Sequence, residues 1–230
     1  MNFAEREKFL FSVLKQISGK ADFVVIGGYA INAYALPRFS IDCDIVVQNR
    51  KSSEQIRKLL ENAGFKERAS GKPPYVGGFV AMASKEPQAT FDILSGAVED
   101  RLSGTIFPAE MIFENSSKRA IFGKGSPMQL SCRVADPELL FLMKACPSRS
   151  TDIRDLFMLS SIKLDIEKMC KMAKQINAKI DAGKILSKIG SKGFLNALQG
   201  VYGKLPAEQY EKTLKKARKN IEKLIQAQGH

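Results

Sequence analysis

The sequence predicts a mixed α/β fold, a sheet with flanking helices, followed by a helical C-terminal region. Three observations carry this. Up to Gly64, amphipathic helical stretches alternate with short apolar runs, the pattern of helices laid on a sheet rather than of separate layers. Residues 65–95 read as further strands bounded by turn residues. From Asp136 onward the apolar spacing is helical throughout. With 44% hydrophobic residues in 230, the chain can bury a core in one or two domains. The boundary is placed so that 1–135 form one domain and 136–230 a basic helical one.

The first predicted helix spans Phe3–Ile17, with Phe9, Leu10, Val13, Leu14 and Ile17 on one stripe and Gly19 as its stop. An apolar run, Phe23–Ile26, leads into Gly27-Gly28 and a helical stretch over Tyr29–Leu36. A second run, Ile41–Val47, follows. Ser52 or Ser53 then caps a helix that turns Ile56, Leu59, Leu60 and Ala63 inward and closes at Gly64. Gly71, Pro73, Pro74 and Gly77-Gly78 mark turns, and Val80–Ser84 pairs with Ala89–Leu94 across Lys85–Gln88. Between Val98 and Gly125, Glu99, Asp100, Glu110 and Glu114 lack the spacing of a metal site and are read as surface residues. Lys118–Phe122 and Met128–Val134 form another strand pair. Asp136 as N-cap and Pro137 at the first helical position start a helix that Pro147 ends, and another begins at Ser150 or Thr151. Further helices are read at 164–180, 184–189, 191–202 and 206–228.

The chemistry gathers in residues 23–47. Asp42 and Asp44, at i and i+2 of a strand, point to one face. Carboxylate oxygens sharing a face suit Mg²⁺, which completes its shell with water and substrate phosphates. The glycine pair at a strand-to-helix turn lets backbone approach a phosphate. The bland alternative is a surface turn followed by aspartates facing solvent. It fits poorly, because charges set into an apolar strand need a partner or a metal.

Gly27-Gly28, thirteen intervening residues and then Asp42-Cys43-Asp44-Ile45 resemble the signature of the polymerase-β-like nucleotidyltransferase superfamily. The string RFSIDCD, with Arg38 and Ser40, is most similar to the AbiEii-type nucleotidyltransferases, which are known mostly as toxins of toxin–antitoxin pairs. The resemblance implies a nucleotidyltransferase-type sheet, Mg²⁺ or Mn²⁺ as cofactor, a nucleoside triphosphate such as ATP as substrate, and an antitoxin as possible partner. It implies a third acidic ligand on a neighbouring strand, for which Asp92 in ATFDIL is the best-placed candidate; the alternative is an ordinary edge-strand aspartate. Nucleotide contacts would come from Gly27, Gly28, Tyr29, Arg38 and Ser40. KACPSRSTDIRDLFML resembles the family's later motifs, so that Lys144 would contact the triphosphate, Asp152 would position or help activate the acceptor, and Arg149 and Asp155 would support them. For Lys144 and Asp152 the alternatives are residues placed to suit helix dipoles. The sequence departs from the pattern at Thr151, where relatives commonly carry a basic residue, and at Tyr29, where many carry Ser or Thr.

Composition narrows the remainder. No apolar run approaches the roughly 20 residues that span a bilayer, and the charged N-terminal helix lacks a signal-peptide pattern, so a cytoplasmic location is expected. Cys43, Cys132, Cys146 and Cys170 form no CxxC pair, which indicates neither a disulfide scaffold nor a zinc site. The single histidine, His230, makes a Ser-His-Asp triad improbable. Of the net charge of +12, the segment Ser161–His230 supplies most, with fifteen cationic side chains against six carboxylates. Lysine clustering of this kind suits a polyanion, which favours RNA as the acceptor over a protein side chain. Two other readings stand beside that one: a non-catalytic nucleotide- or RNA-binding module, disfavoured by the intact Asp-x-Asp, and an antibiotic-modifying type of small-molecule nucleotidyltransferase, disfavoured by the excess lysine.

Overall fold

The computed structural model describes residues 2–71, 76–125 and 127–228. Two compact units divide the chain. The first comprises Met1–Ala33, Pro37–Glu99 and Ile106–Asp136; the second comprises Tyr34–Leu36, Asp100–Thr105 and Pro137–His230.

The first unit is built on a seven-stranded sheet. Its strands are β1 (Val24–Ile26), β2 (Asp42–Val47), β3 (Lys66–Gly71), β4 (Gly78–Ser84), β5 (Ala89–Ser95), β8 (Ser116–Phe122) and β9 (Gln129–Ala135), in the order β3-β4-β5-β2-β1-β9-β8. A small ribbon, β6 (Ala97–Glu99) with β7 (Ile106–Pro108), stands apart from it. The sheet is mixed: β2 runs parallel to β5 and β1 to β9, whereas β1 and β2 are antiparallel. The link between those two strands holds the short helix α2 (Gly27–Ile31), five residues long.

The helices α1 (Phe3–Ser18) and α3 (Arg50–Asn62) cover one face of this sheet. Cys43 and Ile45 of β2 and Phe91 and Ile93 of β5 are buried there, and Phe65 meets the Phe91 ring edge-on at 5.3 Å while stacking on Phe9 at 5.5 Å. Period-two alternation therefore puts Asp42, Asp44 and Asp92 on the opposite face, all half-buried. The short helix α4 (Ala109–Glu114) completes the unit.

The second unit is helical. Helices α5 (Pro137–Ala145), α6 (Ser150–Leu159), α7 (Ile166–Gln175), α8 (Ala182–Ile189), α9 (Lys192–Tyr202) and α10 (Ala207–Gln228) pack with α10 against α6, α7 and α8. Phe157 of α6 sits at the centre, with the rings of Phe194 and Tyr210 each 5.3 Å away. Ala217, Ile221 and Leu224 of α10 are buried, while Ile225 is 39% exposed. No described helix is long and apolar enough to cross a membrane.

Several boundaries differ from the sequence reading, each for a physical reason. The helix after Gly27-Gly28 begins earlier and stops at Ile31, because the Asn32 side chain leaves the helical pattern to bond Arg38. The cap of α3 is Asn49, whose side chain accepts from the Ser52 N–H, rather than Ser52 or Ser53. The helix read at 164–180 is shortened to α7, and Asn177 takes a left-handed φ of 47° beyond its end. Asp100 is not a surface residue: it is 9% exposed and accepts from the Ser103 N–H at 2.8 Å. The turn read at Pro73-Pro74 lies outside the described residues.

Candidate active site

The site is assembled by strand register. Asp44 lies opposite Ile26 on β1 and beside Asp92 on β5, the latter two on parallel neighbouring strands with their side chains on the same face. Asp42 follows on that face of β2. One carboxylate oxygen from each of Asp42, Asp44 and Asp92 lies within 4.8 Å of the others, a spacing at which the three could hold a metal ion. The donor set is hard and anionic, which fits Mg²⁺ or Mn²⁺ rather than a thiolate-seeking metal. Electrostatics agree with that fit. Burial, and secondarily the neighbouring Asp42 carboxylate, push the Asp92 carboxyl up to about 6, so the triad resists full ionisation unless a cation offsets it. The thiol of Cys43, which follows Asp42 in β2 but is buried on the other face, is held well above its usual value mainly by burial.

The glycine turn abuts this triad. Gly27 has a φ of +67°, and a Cβ there would collide with the Asp44 carboxylate. At Gly28 a Cβ would strike the Ser40 hydroxyl and approach the Arg38 guanidinium to 2.9 Å. Glycine is therefore required by the closeness of Asp44, Ser40 and Arg38, independently of any ligand. Gly27→Ala should lower stability by about 1–2 kcal/mol through left-handed strain. By displacing Asp44 it should cut turnover by about a hundredfold. Thermal melting and a transfer assay on the same preparation check both.

Ser40 and Arg38 belong to a loop that is pinned from three sides. The Arg6 guanidinium donates to the Ser40 carbonyl at 3.1 Å, and the Tyr29 hydroxyl donates to the same oxygen at 3.2 Å. Asn32, fully buried, donates to the Arg38 carbonyl at 2.9 Å and accepts from the Arg38 N–H at 3.1 Å. Tyr29 thus turns its ring into the core, edge-on to Phe11, and serves the loop; its phenol does not face outward to a phosphate. The Ser40 hydroxyl lies 3.5 Å from Asp42 Oδ1. Sequence reasoning missed Arg6, Glu7 and Asn32. Arg6 and Glu7 lie on the buried side of α1, and the Glu7 carboxylate accepts from the Lys124 and Gly125 N–H groups. Two charges on the apolar side of that helix are the signal that could have found them.

Within the second unit, Lys144, Arg149, Asp152 and Asp155 come together. The Lys144 ammonium lies 3.1 Å from Asp152 Oδ1 and 3.2 Å from Asp155 Oδ2. The Arg149 N–H donates to Asp152 Oδ2 at 3.2 Å, and its guanidinium meets Asp100 at 3.4 Å. The Tyr202 hydroxyl donates to Asp155 Oδ1 at 2.6 Å, an interaction that no local pattern announces.

The profile of the family described as "Nucleotidyl transferase AbiEii toxin, Type IV TA system" matches residues 8–227. The chain belongs to the AbiEii nucleotidyltransferase family. It is accordingly a nucleotidyltransferase, and the match spans both units of the fold. Solved structures agree with the architecture of this AbiEii protein. JHP933 from Helicobacter pylori aligns with a TM-score of 0.52 and 16% identity, over 97% of this chain and 94% of that one. ANT(2")-Ia, in complex with adenylyl-2"-tobramycin, aligns with a TM-score of 0.50 and 14% identity, over 75% of this chain and 97% of that one. At such identities the likeness establishes the fold alone. No curated protein matches the AbiEii chain by sequence.

Proposed function

We propose that this AbiEii protein moves a nucleoside monophosphate from a nucleoside triphosphate to a hydroxyl of RNA, such as a tRNA-like end, and acts as the toxin of a toxin–antitoxin pair. The observation that carries the transfer chemistry is the carboxylate triad set against the Gly27-Gly28 turn. Asp42, Asp44 and Asp92 would hold Mg²⁺ or Mn²⁺, which when bound supplies charge neutralisation at the phosphates and a more acidic acceptor hydroxyl. The backbone at Gly27 and Gly28, with Arg38 and Ser40 beside it, would orient the triphosphate. The acceptor hydroxyl gives up its proton to solvent as its oxygen bonds to the α-phosphorus, the bond from that phosphorus to the bridging oxygen breaks, and pyrophosphate leaves. Positioning and electrostatics account for most of such a rate enhancement. Family resemblance, rather than any geometry, supports a triphosphate contact for Lys144 and an acceptor-orienting role for Asp152, with Arg149 and Asp155 in support. In the same reading 1–135 is the catalytic domain and 136–230 the basic helical domain that favours a polynucleotide.

ANT(2")-Ia, of like fold, was solved with an adenylylated aminoglycoside, and a small-molecule acceptor is the competing reading. Incubation with each labelled triphosphate, Mg²⁺ and either total RNA or an aminoglycoside panel separates the two. Label in RNA that disappears in Asp42→Ala is the expected result. Label on the small molecules, or tight triphosphate binding with no transfer at all, would sink the RNA assignment.

A further inference from the structure

A cleft of about 510 Å³ opens in the second unit where the turn after α5, the Ala178–Asp181 segment and the first turn of α8 meet the Asp100–Thr105 loop. Ser148 is its unusual feature. It follows α5 with a left-handed φ of 45°, and its N–H donates to the Lys144 carbonyl at 3.2 Å, closing the helix. Glycine ordinarily takes this position, because a side chain there is strained. The serine is 2% exposed, lines the cleft, and its hydroxyl has no hydrogen-bond partner among the described residues. Backbone strain at a buried residue works against folding and marks positions that meet a ligand.

The charge around the cleft is cationic. Lys179 and Lys184 line it, and neither pairs with a carboxylate among the described residues. Asp181 also lines it, but its Oδ1 is engaged as the cap of α8, accepting from the Lys184 N–H at 2.9 Å. The Ser103 hydroxyl on the far wall is turned to the Asp100 carboxylate. Beside Asp181, the first-turn N–H groups of α8 have no intrahelical acceptor.

We propose that the cleft at the Ser148 turn is a phosphate site for the acceptor polynucleotide. The Ser148 hydroxyl donates to a non-bridging oxygen of one phosphodiester, and Lys179 and Lys184 supply the counter-charge. This rests on the reading that the acceptor is RNA, and it adds where the second unit grips that RNA.

Anisotropy of a short fluorescein-labelled oligoribonucleotide, titrated with the full chain over a range of salt concentrations, tests it. Lys179→Gln/Lys184→Gln should bind about tenfold more weakly. Its log affinity against log salt should flatten by about 0.7, the slope of one phosphate that is no longer neutralised. The uncharged change Ser148→Ala should weaken binding as well. Ser148→Gly should weaken binding while raising the melting temperature, a split that a purely structural serine would not produce. Lys51→Gln/Lys58→Gln on α3 removes the same charge elsewhere and should bind more tightly than the cleft variant. Equal loss in that control, or wild-type affinity in Ser148→Ala, overturns the site while leaving RNA as acceptor. A wild-type chain that binds no oligoribonucleotide removes the RNA reading and this inference with it. If ATP titration shows the cleft variants losing nucleotide affinity but keeping RNA, the phosphate belongs to the nucleotide and the assignment to the acceptor is wrong.

Discussion

Asp42→Asn should lower nucleotide transfer by about a thousandfold, the equivalent of about 4 kcal/mol in the barrier, because in the proposed function Asp42 is one of the three carboxylates that would hold the divalent ion. The same triad yields a test independent of turnover. An unfolded aspartate titrates near 3.9. In the folded chain Asp92 is pushed up to about 6 by burial and by Asp42. Between those values the folded state binds the proton more tightly. The contribution of Asp92 to stability is therefore fully present below the lower value and is lost as pH rises through the upper one. A divalent ion held by the ionised carboxylates, as proposed, would stabilise the fold by mass action. Melting temperature should thus respond weakly to MgCl₂ at pH 5 and strongly above pH 7. Without metal, Asp92→Asn should be more stable than the wild type above pH 6, and it should lose the response to MgCl₂. A wild-type shift of equal size at both pH values would mean that the ion lodges elsewhere.

Short-range periodicity made much of this fold legible. The stripe of α1 and the strand pairs β4–β5 and β8–β9 are each written in neighbouring residues. So is the shared face of Asp42 and Asp44, since a period of two settles it. The register of Asp44 beside Asp92 is different in kind, because it depends on which strands become parallel neighbours. No spacing encodes that, and Asp92 enters the sequence reading through family resemblance. The same limit hides Asn32, which bonds both Arg38 and the Phe122 carbonyl at 3.1 Å, and it hides Asp100, buried under the distant Arg149. The glycine pair was legible for an incomplete reason. Its sequence suggests approach to phosphate, whereas the fold shows that the Asp44, Ser40 and Arg38 side chains already occupy the space a Cβ would need.

Lys144→Met should destabilise the second unit by about 3–5 kcal/mol, enough to lower its melting temperature by about 12–20 °C. The side chains of Asp152 and Asp155 are 5% and 1% exposed, and both lie against the Lys144 ammonium. Removing it leaves two buried carboxylates facing each other, a larger penalty than the pair's own attraction. Tyr202→Phe provides the scale: it deletes one hydrogen bond to the Asp155 carboxylate and should cost about 1.5–3 kcal/mol. If the cluster acts as one unit, Lys144→Met/Asp155→Asn should lose less than the two single changes together, since the second change removes the charge that the first left stranded. Helical circular dichroism during melting reads these variants and the single Asp155→Asn. A Lys144→Met chain that melts with the wild type but no longer transfers nucleotide would show that the lysine is spared from the fold and held for the triphosphate. Loss of both stability and transfer would make the ion pairs the device that holds the later family motif in place.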